Sequence, residues 1–143
     1  DEDSPGALTV EEMADVDRSP ALVRHGPTAD AASALAAAHA AILPSRSGEG
    51  VSKLVLEALA SGRPVLISRQ SGSDSVIDDG ETGVRFEARD PESSAHALVA
   101  VAEMTYCELA ELGQRARCAA EADYGLDSIV PRIVELHRSL VER

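Results

Sequence analysis

Residues 48–65 read GEGVSKLVLEALASGRPV, and this stretch holds two glutamates, Glu49 and Glu57, with seven residues between them. It follows a short apolar run, so its Gly-Glu-Gly segment predicts that a buried strand ends, the chain bends tightly and a helix begins near Ser52 or Lys53. One carboxylate is therefore expected in the turn and the other on the helix. We expect the rest of the chain to form the frame that holds this stretch.

Short apolar runs alternate with helix-forming segments along the rest of the chain. Strands are predicted at residues 21–25, 40–43, 64–68 and 83–87. Helices are predicted at residues 10–17, 30–39, 91–104 and 107–123, from about residue 52 and from about residue 128, with a single helical turn at residues 74–77. This alternation predicts an α/β fold with a parallel sheet.

The last predicted helix carries Pro131, which we expect in the first turn, where its missing N–H costs little. Its apolar residues recur at helical spacing and form one stripe: Ile129, Ile133, Leu136 and Leu140. Such a stripe needs a surface to pack against.

Composition limits the kinds of partner that the protein can bind. The chain has 143 residues, enough for one domain with its own core, and we expect no second domain. Only 2% of the residues are aromatic, so small aliphatic side chains must fill the interior and the helices must pack closely. The formal net charge of -12 argues against nucleic acid or an anionic membrane as a partner. An anionic ligand would have to be held locally, by backbone amides and a few cations.

The cysteines and histidines predict neither a disulfide nor a metal site. Cys107 and Cys118 are eleven residues apart in one predicted helix, so they lie about 16 Å apart along its axis and cannot bridge each other. The four histidines have no metal-ligand spacing with one another or with the cysteines: His25, His39, His96 and His137. Two unpaired thiols, without a recognisable signal peptide or membrane span, predict a cytoplasmic protein. The lack of a Gly-x-Ser-x-Gly motif disfavours a serine hydrolase.

Open parallel sheets bind ligands beyond the carboxyl ends of their strands, near helix N-termini that favour anions. Residues 45–53 are expected at such a place. Gly48 and Gly50 leave room for a ligand against the backbone. Ser52 and Lys53 begin the helix with a hydroxyl and a cation that suit phosphate. The pattern therefore predicts a pyrophosphate site.

Each of the two glutamates has an ordinary interpretation beside the functional one. Glu57 lies one turn after Lys53, and an exposed ion pair at that spacing stabilises a helix by only ~0.2–0.5 kcal/mol. Lys before Glu is also the poorer order for the helix dipole. A carboxylate there could instead accept hydrogen bonds from both hydroxyls of a ribose. Glu49 is either a plain loop carboxylate or an acceptor for sugar hydroxyls, and the spacing alone leaves both questions open.

Two longer stretches carry a resemblance to a known family. Residues 43–68 read LPSRSGEGVSKLVLEALASGRPVLIS and residues 77–98 read IDDGETGVRFEARDPESSAHAL. Together they resemble the carboxyl-terminal, donor-binding half of the retaining glycosyltransferases of family 4, which have two facing Rossmann-like domains. The shared components are Pro-Ser at a strand end, Glu-Gly with a second Glu after seven residues, Ala-x-Gly-x-Pro-Val and Asp-Gly-x-Thr-Gly. The resemblance implies a three-layer Rossmann-like domain over residues 1–143, with its C-terminal helices in residues 91–143.

The resemblance also implies roles for particular residues. Glu49 would be the catalytic residue, facing the donor sugar and stabilising it electrostatically. The sugar and pyrophosphate would meet residues of the turn and the helix start: Gly50, Val51, Ser52, Lys53 and Leu54. Glu57 would bind the ribose. The base would lie near three earlier residues: Gly26, Pro27 and Thr28. Family members usually need no metal ion, and neither a metal nor another cofactor is expected.

The chain also differs from the family pattern. Gly50, Val51 and Ser52 stand where Gly-Phe-Gly is common after the first Glu. Ser71, Gly72 and Ser75 stand where Gly-Gly and then Glu are common. The family domain begins with two strands and a phosphate-binding Arg and Lys that this chain lacks, and the acceptor-binding domain is missing as well. We therefore expect a partial fold that is inactive alone, in which the strand at residues 21–25 is displaced or unpaired.

The implied function is transfer of a sugar from a UDP-, GDP- or ADP-sugar to an acceptor, in polysaccharide or glycolipid synthesis. The enzyme would be cytoplasmic and peripheral to the inner face of a membrane, with any membrane contact made by the missing domain and no nucleic acid bound. The alternative is a non-catalytic α/β domain with a structural or regulatory role.

Overall fold

The computed structural model describes residues 9–45, 50–69 and 72–141. The chain divides into two units, Asp1–Asp30 and Ala31–Arg143. In the smaller unit, α1 (Val10–Arg18) begins with a capping box, as its predicted start requires. The Thr9 N–H donates to the Glu12 carboxylate at 2.8 Å, and the Glu12 N–H donates to the Thr9 hydroxyl at 3.2 Å.

Residues 21–25 do not form a strand, so that prediction is wrong. Leu22 is 55% exposed and Val23 is 76% exposed, and the described part of this unit contains no strand that could lie beside them. Arg24 instead pairs with Asp17 at 2.9 Å, and this hydrogen bond raises the pKa of Arg24. A strand needs a neighbour to pair its backbone groups, and the described part of this unit offers none.

The larger unit is built on a parallel sheet of three strands within the described residues. In sheet order these are β1 (Ala41–Leu43), β2 (Val65–Ser68) and β3 (Gly83–Phe86). Ile42 lies opposite Leu66, and Leu66 lies opposite Val84. Every residue of the central strand β2 is buried. Three of the four predicted strands and the parallel arrangement are thereby confirmed.

Five α-helices belong to the described part of the larger unit, and a 3₁₀ turn at Ser73–Val76 separates β2 from β3. They are α2 (Ala31–Ala37), α3 (Lys53–Ala60), α4 (Pro91–Ala102), α5 (Tyr106–Tyr124) and α6 (Leu126–Val141). The predicted position of Pro131 is wrong, because Pro131 lies inside α6 and not in its first turn. The helix begins early because the N–H groups of Ser128 and Ile129 donate to the Gly125 carbonyl at 3.0 and 2.9 Å.

Helices cover both faces of the sheet, which gives the expected three layers. On one face, α3 and α5 pack over β2 through a buried set: Val55, Ala58, Leu59, Val65, Ile67, Ala116 and Ala120. On the other face, α4 packs through a second set: Leu66, Phe86, Ala97 and Val101. Small residues allow the close helix packing that the composition predicts, since a Cβ atom on Gly113 of α5 would lie 2.3 Å from the carbonyl oxygen of Gly62, just after α3.

The last helix differs from the other helices of the larger unit because none of its described residues is buried. Its predicted apolar stripe lies at the surface, with Ile133 59%, Leu136 61% and Leu140 64% exposed. Among the helices that the structure describes, none is both long enough and apolar enough to cross a bilayer.

Candidate functional site

The start of α3 lies beyond the carboxyl end of β1, where the sequence predicts a phosphate site. Ser52 is the N-cap residue, with extended backbone angles, and its side chain makes no capping hydrogen bond within the described residues. Its carbonyl accepts from the N–H groups of Val55 and Leu56 at 3.1 and 3.3 Å. Within residues 9–45, 50–69 and 72–141, the N–H groups of Lys53 and Leu54 meet no acceptor. Two amides at the positive end of the helix dipole are thus available to an anion.

A buried serine from the 3₁₀ turn holds the entry to this helix. Ser73 is fully buried, and its hydroxyl accepts from the Ser52 N–H at 2.7 Å. The same hydroxyl donates to the Gly50 carbonyl at 3.0 Å. Sequence reasoning missed Ser73, although it considered the neighbouring Ser75. No local pattern could have revealed the contact, because it joins positions 21 and 23 residues apart.

A second buried serine holds the other flank of the segment 46–49. Ser68, at the end of β2, is 1% exposed, and its hydroxyl donates to the Ser45 carbonyl at 2.6 Å. The residues on either side of the segment, Ser45 and Gly50, therefore each accept a hydrogen bond from a buried hydroxyl. Glu49, the predicted catalytic residue, belongs to this segment and lies outside the described residues.

Glu57 lies one turn into α3 and is paired with Lys53 at 3.2 Å. The Lys53 side chain is 87% exposed and that of Glu57 is 36% exposed, so the pair itself contributes little to stability. Both side chains border a groove of about 300 Å³ between α3 and the end of α5. The other lining residues are Leu56, Ala60, Ala120, Glu121, Tyr124 and Gly125. This position of Glu57 fits both a plain surface ion pair and a carboxylate that binds a ligand in the groove.

A cavity of about 580 Å³ lies at the carboxyl ends of the three strands, beside the start of α4. It is lined by Pro44, Ser68, Phe86, Glu87, Arg89, Asp90, Pro91 and Ser94. The start of α4 is already capped, because the Asp90 carboxylate accepts from the N–H groups of Glu92 and Ser93 at 3.0 Å each. The lining carries one cation, Arg89, beside the two carboxylates of Glu87 and Asp90. Because the carboxylates outnumber the cation and the helix start is capped, this cavity suits an anion less well than the start of α3.

The remaining predicted site residues occupy different places. Val51 is 47% exposed and Leu54 is 37% exposed, at the turn and at the start of α3. The predicted base-proximal residues belong to the smaller unit, and their role stays a prediction: Gly26, Pro27 and Thr28. In the part of the chain that the structure describes, no three His, Cys, Asp or Glu side chains are placed to hold a metal ion. Both cysteines are exposed free thiols of α5 there.

Comparison with known proteins gives the family. A family model described as "Glycosyl transferases group 1" matches residues 4–104, which is more than half of the chain. The chain belongs to this glycosyltransferase family. A D-inositol 3-phosphate glycosyltransferase from Corynebacterium urealyticum is 28% identical over 134 residues, covering 92% of this chain and 31% of the relative.

Two solved structures share the fold of this chain. A glycosyltransferase from Rickettsia africae superposes with a TM-score of 0.83 at 16% identity, over 93% of this chain and 35% of that protein. HepE from Anabaena, in complex with UDP-glucose, gives a TM-score of 0.79 at 19% identity, over 90% of this chain and 35% of HepE. The chain thus spans about a third of the length of these proteins, and its three-layer α/β architecture is the Rossmann-like fold found in the solved structures.

Proposed function

We propose that this chain is the donor-binding domain of a retaining glycosyltransferase of family 4, which transfers a sugar from a nucleotide-sugar to an acceptor. The observation that carries the proposal is the open N-terminus of α3, with Glu57 one turn further along, in a chain that matches the glycosyltransferase family over residues 4–104. The donor is a UDP-, GDP- or ADP-sugar. HepE, a neighbour in fold, has been solved with UDP and with UDP-glucose.

The donor diphosphate would lie at the start of α3. Its oxygens would accept from the N–H groups of Lys53 and Leu54, and the Lys53 ammonium group would add a cation in an otherwise acidic protein of net charge -12. The exposed backbone of Val51 and Gly50 would face the sugar. Local amides and a single cation are what an anionic ligand needs when the overall field is unfavourable.

The two glutamates would act at opposite ends of the donor. Glu57 would leave its pair with Lys53 and accept hydrogen bonds from the two ribose hydroxyls, while Glu49 would stabilise charge that develops on the donor sugar. The base would lie near the predicted residues of the smaller unit: Gly26, Pro27 and Thr28. No metal ion has a role in this proposal.

The acceptor-binding domain would be contributed by the part of the relatives that this chain does not cover. We propose that the chain alone does not catalyse, because the phosphate-binding Arg and Lys of the family pattern and the acceptor site both lie in that part. The full-length enzyme would build a polysaccharide or glycolipid in the cytoplasm, at the inner face of a membrane. The other domain would make the membrane contact.

A non-catalytic α/β domain with a structural or regulatory role is the second candidate. The ion pair of Lys53 with Glu57, at 3.2 Å, favours it, because a paired carboxylate can be a plain surface residue. The serine at position 75, where the family pattern commonly has Glu, also favours it. The two candidates differ in what they require of Glu57.

Substitution of Glu57 tests the proposal. In the full-length protein, Glu57→Ala should raise the donor KM or lower turnover so that kcat/KM falls at least about 100-fold, since two charge-assisted hydrogen bonds to the ribose are lost. Glu121→Ala is the matched control, because Glu121 forms the same kind of i,i+4 pair, with Arg117 at 2.8 Å, and borders the same groove. Donor turnover and nucleotide binding should be measured for both variants. Unchanged turnover in Glu57→Ala would contradict the proposed donor-binding function and favour the non-catalytic domain.

A further inference from the structure

The hydroxyl of Ser73 is fully buried, and both of its hydrogen-bonding functions are used on one short turn. It accepts from the N–H of Ser52 and donates to the carbonyl of Gly50. A buried hydroxyl normally finds such partners, but this one joins two backbone groups that are only two residues apart. It therefore fixes how the peptide groups at residues 50–52 are oriented as the chain enters α3.

This bridge also decides which amides at the start of α3 remain open. The Ser52 N–H points to Ser73 at 2.7 Å, so it is engaged before any ligand arrives. The next two amides, of Lys53 and Leu54, meet no acceptor within the described residues. The amide of Ser52 is thus used by the fold, whereas the next two amides have no acceptor among the described residues.

The neighbouring Ser75 shows that this role is particular to Ser73. Ser75 belongs to the same 3₁₀ turn, but its hydroxyl donates to the Gly72 carbonyl at 2.9 Å, within its own turn, and the residue is exposed. Of the two serines in this short element, only Ser73 makes hydrogen bonds to the residues just before α3.

We propose that Ser73 is a positioning residue for binding of the nucleotide diphosphate. Ser73 holds the turn at residues 50–52 so that the amides of Lys53 and Leu54 point at the phosphates. The inference rests on the proposed function. Ser73 itself does not touch the ligand, because its hydroxyl is buried and both of its hydrogen bonds go to the turn. Loss of the hydroxyl should therefore weaken binding by releasing the turn, in a region where small displacements of binding groups are costly.

The test measures nucleotide affinity by titrating the full-length protein and its variants with UDP, GDP and ADP. The temperature is kept well below the unfolding midpoint of the least stable variant. Ser73→Ala should raise the Kd of the preferred nucleotide about tenfold. Ser73→Cys keeps the size of the side chain but has a weak donor and acceptor, so it should raise the Kd in the same direction and serves if the alanine variant does not fold. Ser75→Ala, which removes the neighbouring hydroxyl, should leave the Kd unchanged.

A second control separates positioning from general stability. Val101→Ala removes two methyl groups from the core on the opposite face of the sheet, so it should lower the unfolding midpoint without changing the Kd. Wild-type affinity in both Ser73 variants, or an equal loss of affinity in Val101→Ala, would overturn the inference while leaving the proposed function intact. A wild-type protein that binds none of the three nucleotides would overturn the proposed function, and this inference with it.

Discussion

The two ends of α3 are built in opposite ways. At its C-terminal end the chain closes on itself: the Gly62 N–H donates to the Leu59 carbonyl and the Arg63 N–H donates to the Ala58 carbonyl, both at 2.9 Å. Gly62 has a positive φ of 66°, and the two bonds make a Schellman motif. At the N-terminal end, Ser52 occupies the cap position but its side chain caps nothing among the described residues.

Other helices of the chain show that an open start is not general. α4 begins with the Asp90 carboxylate bound to two amides, and α5 begins with a capping box between Thr105 and Glu108. Hydrogen bonds from Thr105 lower the pKa of Glu108. α3 is therefore anchored at one end by the fold, whereas a ligand can supply acceptors for the amides at its other end.

The largest effect is expected at the anchored end. Gly113→Ala should destabilise the protein by about 1–3 kcal/mol, because the new Cβ would lie 2.3 Å from the Gly62 carbonyl oxygen, where α5 crosses the end of α3. Gly50→Ala is the matched change at the open end, and it should stay within about 0.5 kcal/mol, since no atom of the described residues lies within 4 Å of its Cβ position. Urea unfolding of both variants measures the difference. Equal losses of stability would contradict the contrast between the two ends.

A smaller effect is expected at the caps. Asp90→Ala should cost about 1 kcal/mol of stability, because two amides of α4 lose their acceptor. Ser52→Ala should change the free energy of unfolding by less than about 0.5 kcal/mol, since the Ser52 side chain makes no capping bond. The same unfolding experiment compares them. If Ser52→Ala proved as costly as Asp90→Ala, the start of α3 would be capped in solution and the proposed site would already be filled.

Local patterns predicted the framework of this fold well. The apolar residues of β2 and the Asp90-Pro91 start of α4 appear where the sequence places them. The strand expected at residues 21–25 failed because a strand depends on a neighbour, which no short segment can specify. The start of α6 was misplaced because the Gly125 carbonyl, and not a polar side chain, accepts the first helical hydrogen bonds.

The candidate site was only partly predictable, for a related reason. The turn, the helix start and Glu57 follow from spacing within one short stretch of sequence. Ser73, by contrast, contacts Ser52 and Gly50, which precede it by 21 and 23 positions in the sequence. Only the folded chain brings these residues together. Ser52 illustrates the limit most simply. A serine at a helix start favours a cap, and only the structure shows that its side chain makes no capping hydrogen bond within the described residues.

If the open amides of α3 bind the diphosphate of a nucleotide, two variants at Lys53 should differ in nucleotide affinity. Lys53→Ala removes the cation and keeps the backbone N–H, whereas Lys53→Pro removes both. Proline is tolerated at the first position of a helix, and the extended backbone of Ser52, with ψ 133°, is compatible with a following proline.

Both variants should therefore fold with similar stability. Titration of the full-length protein with UDP, GDP and ADP should show that Lys53→Pro binds the preferred nucleotide about tenfold more weakly than Lys53→Ala does, which corresponds to ~1.4 kcal/mol for one lost amide. Equal affinity of the two folded variants would contradict the account, because the amide of Lys53 would then have no part in binding.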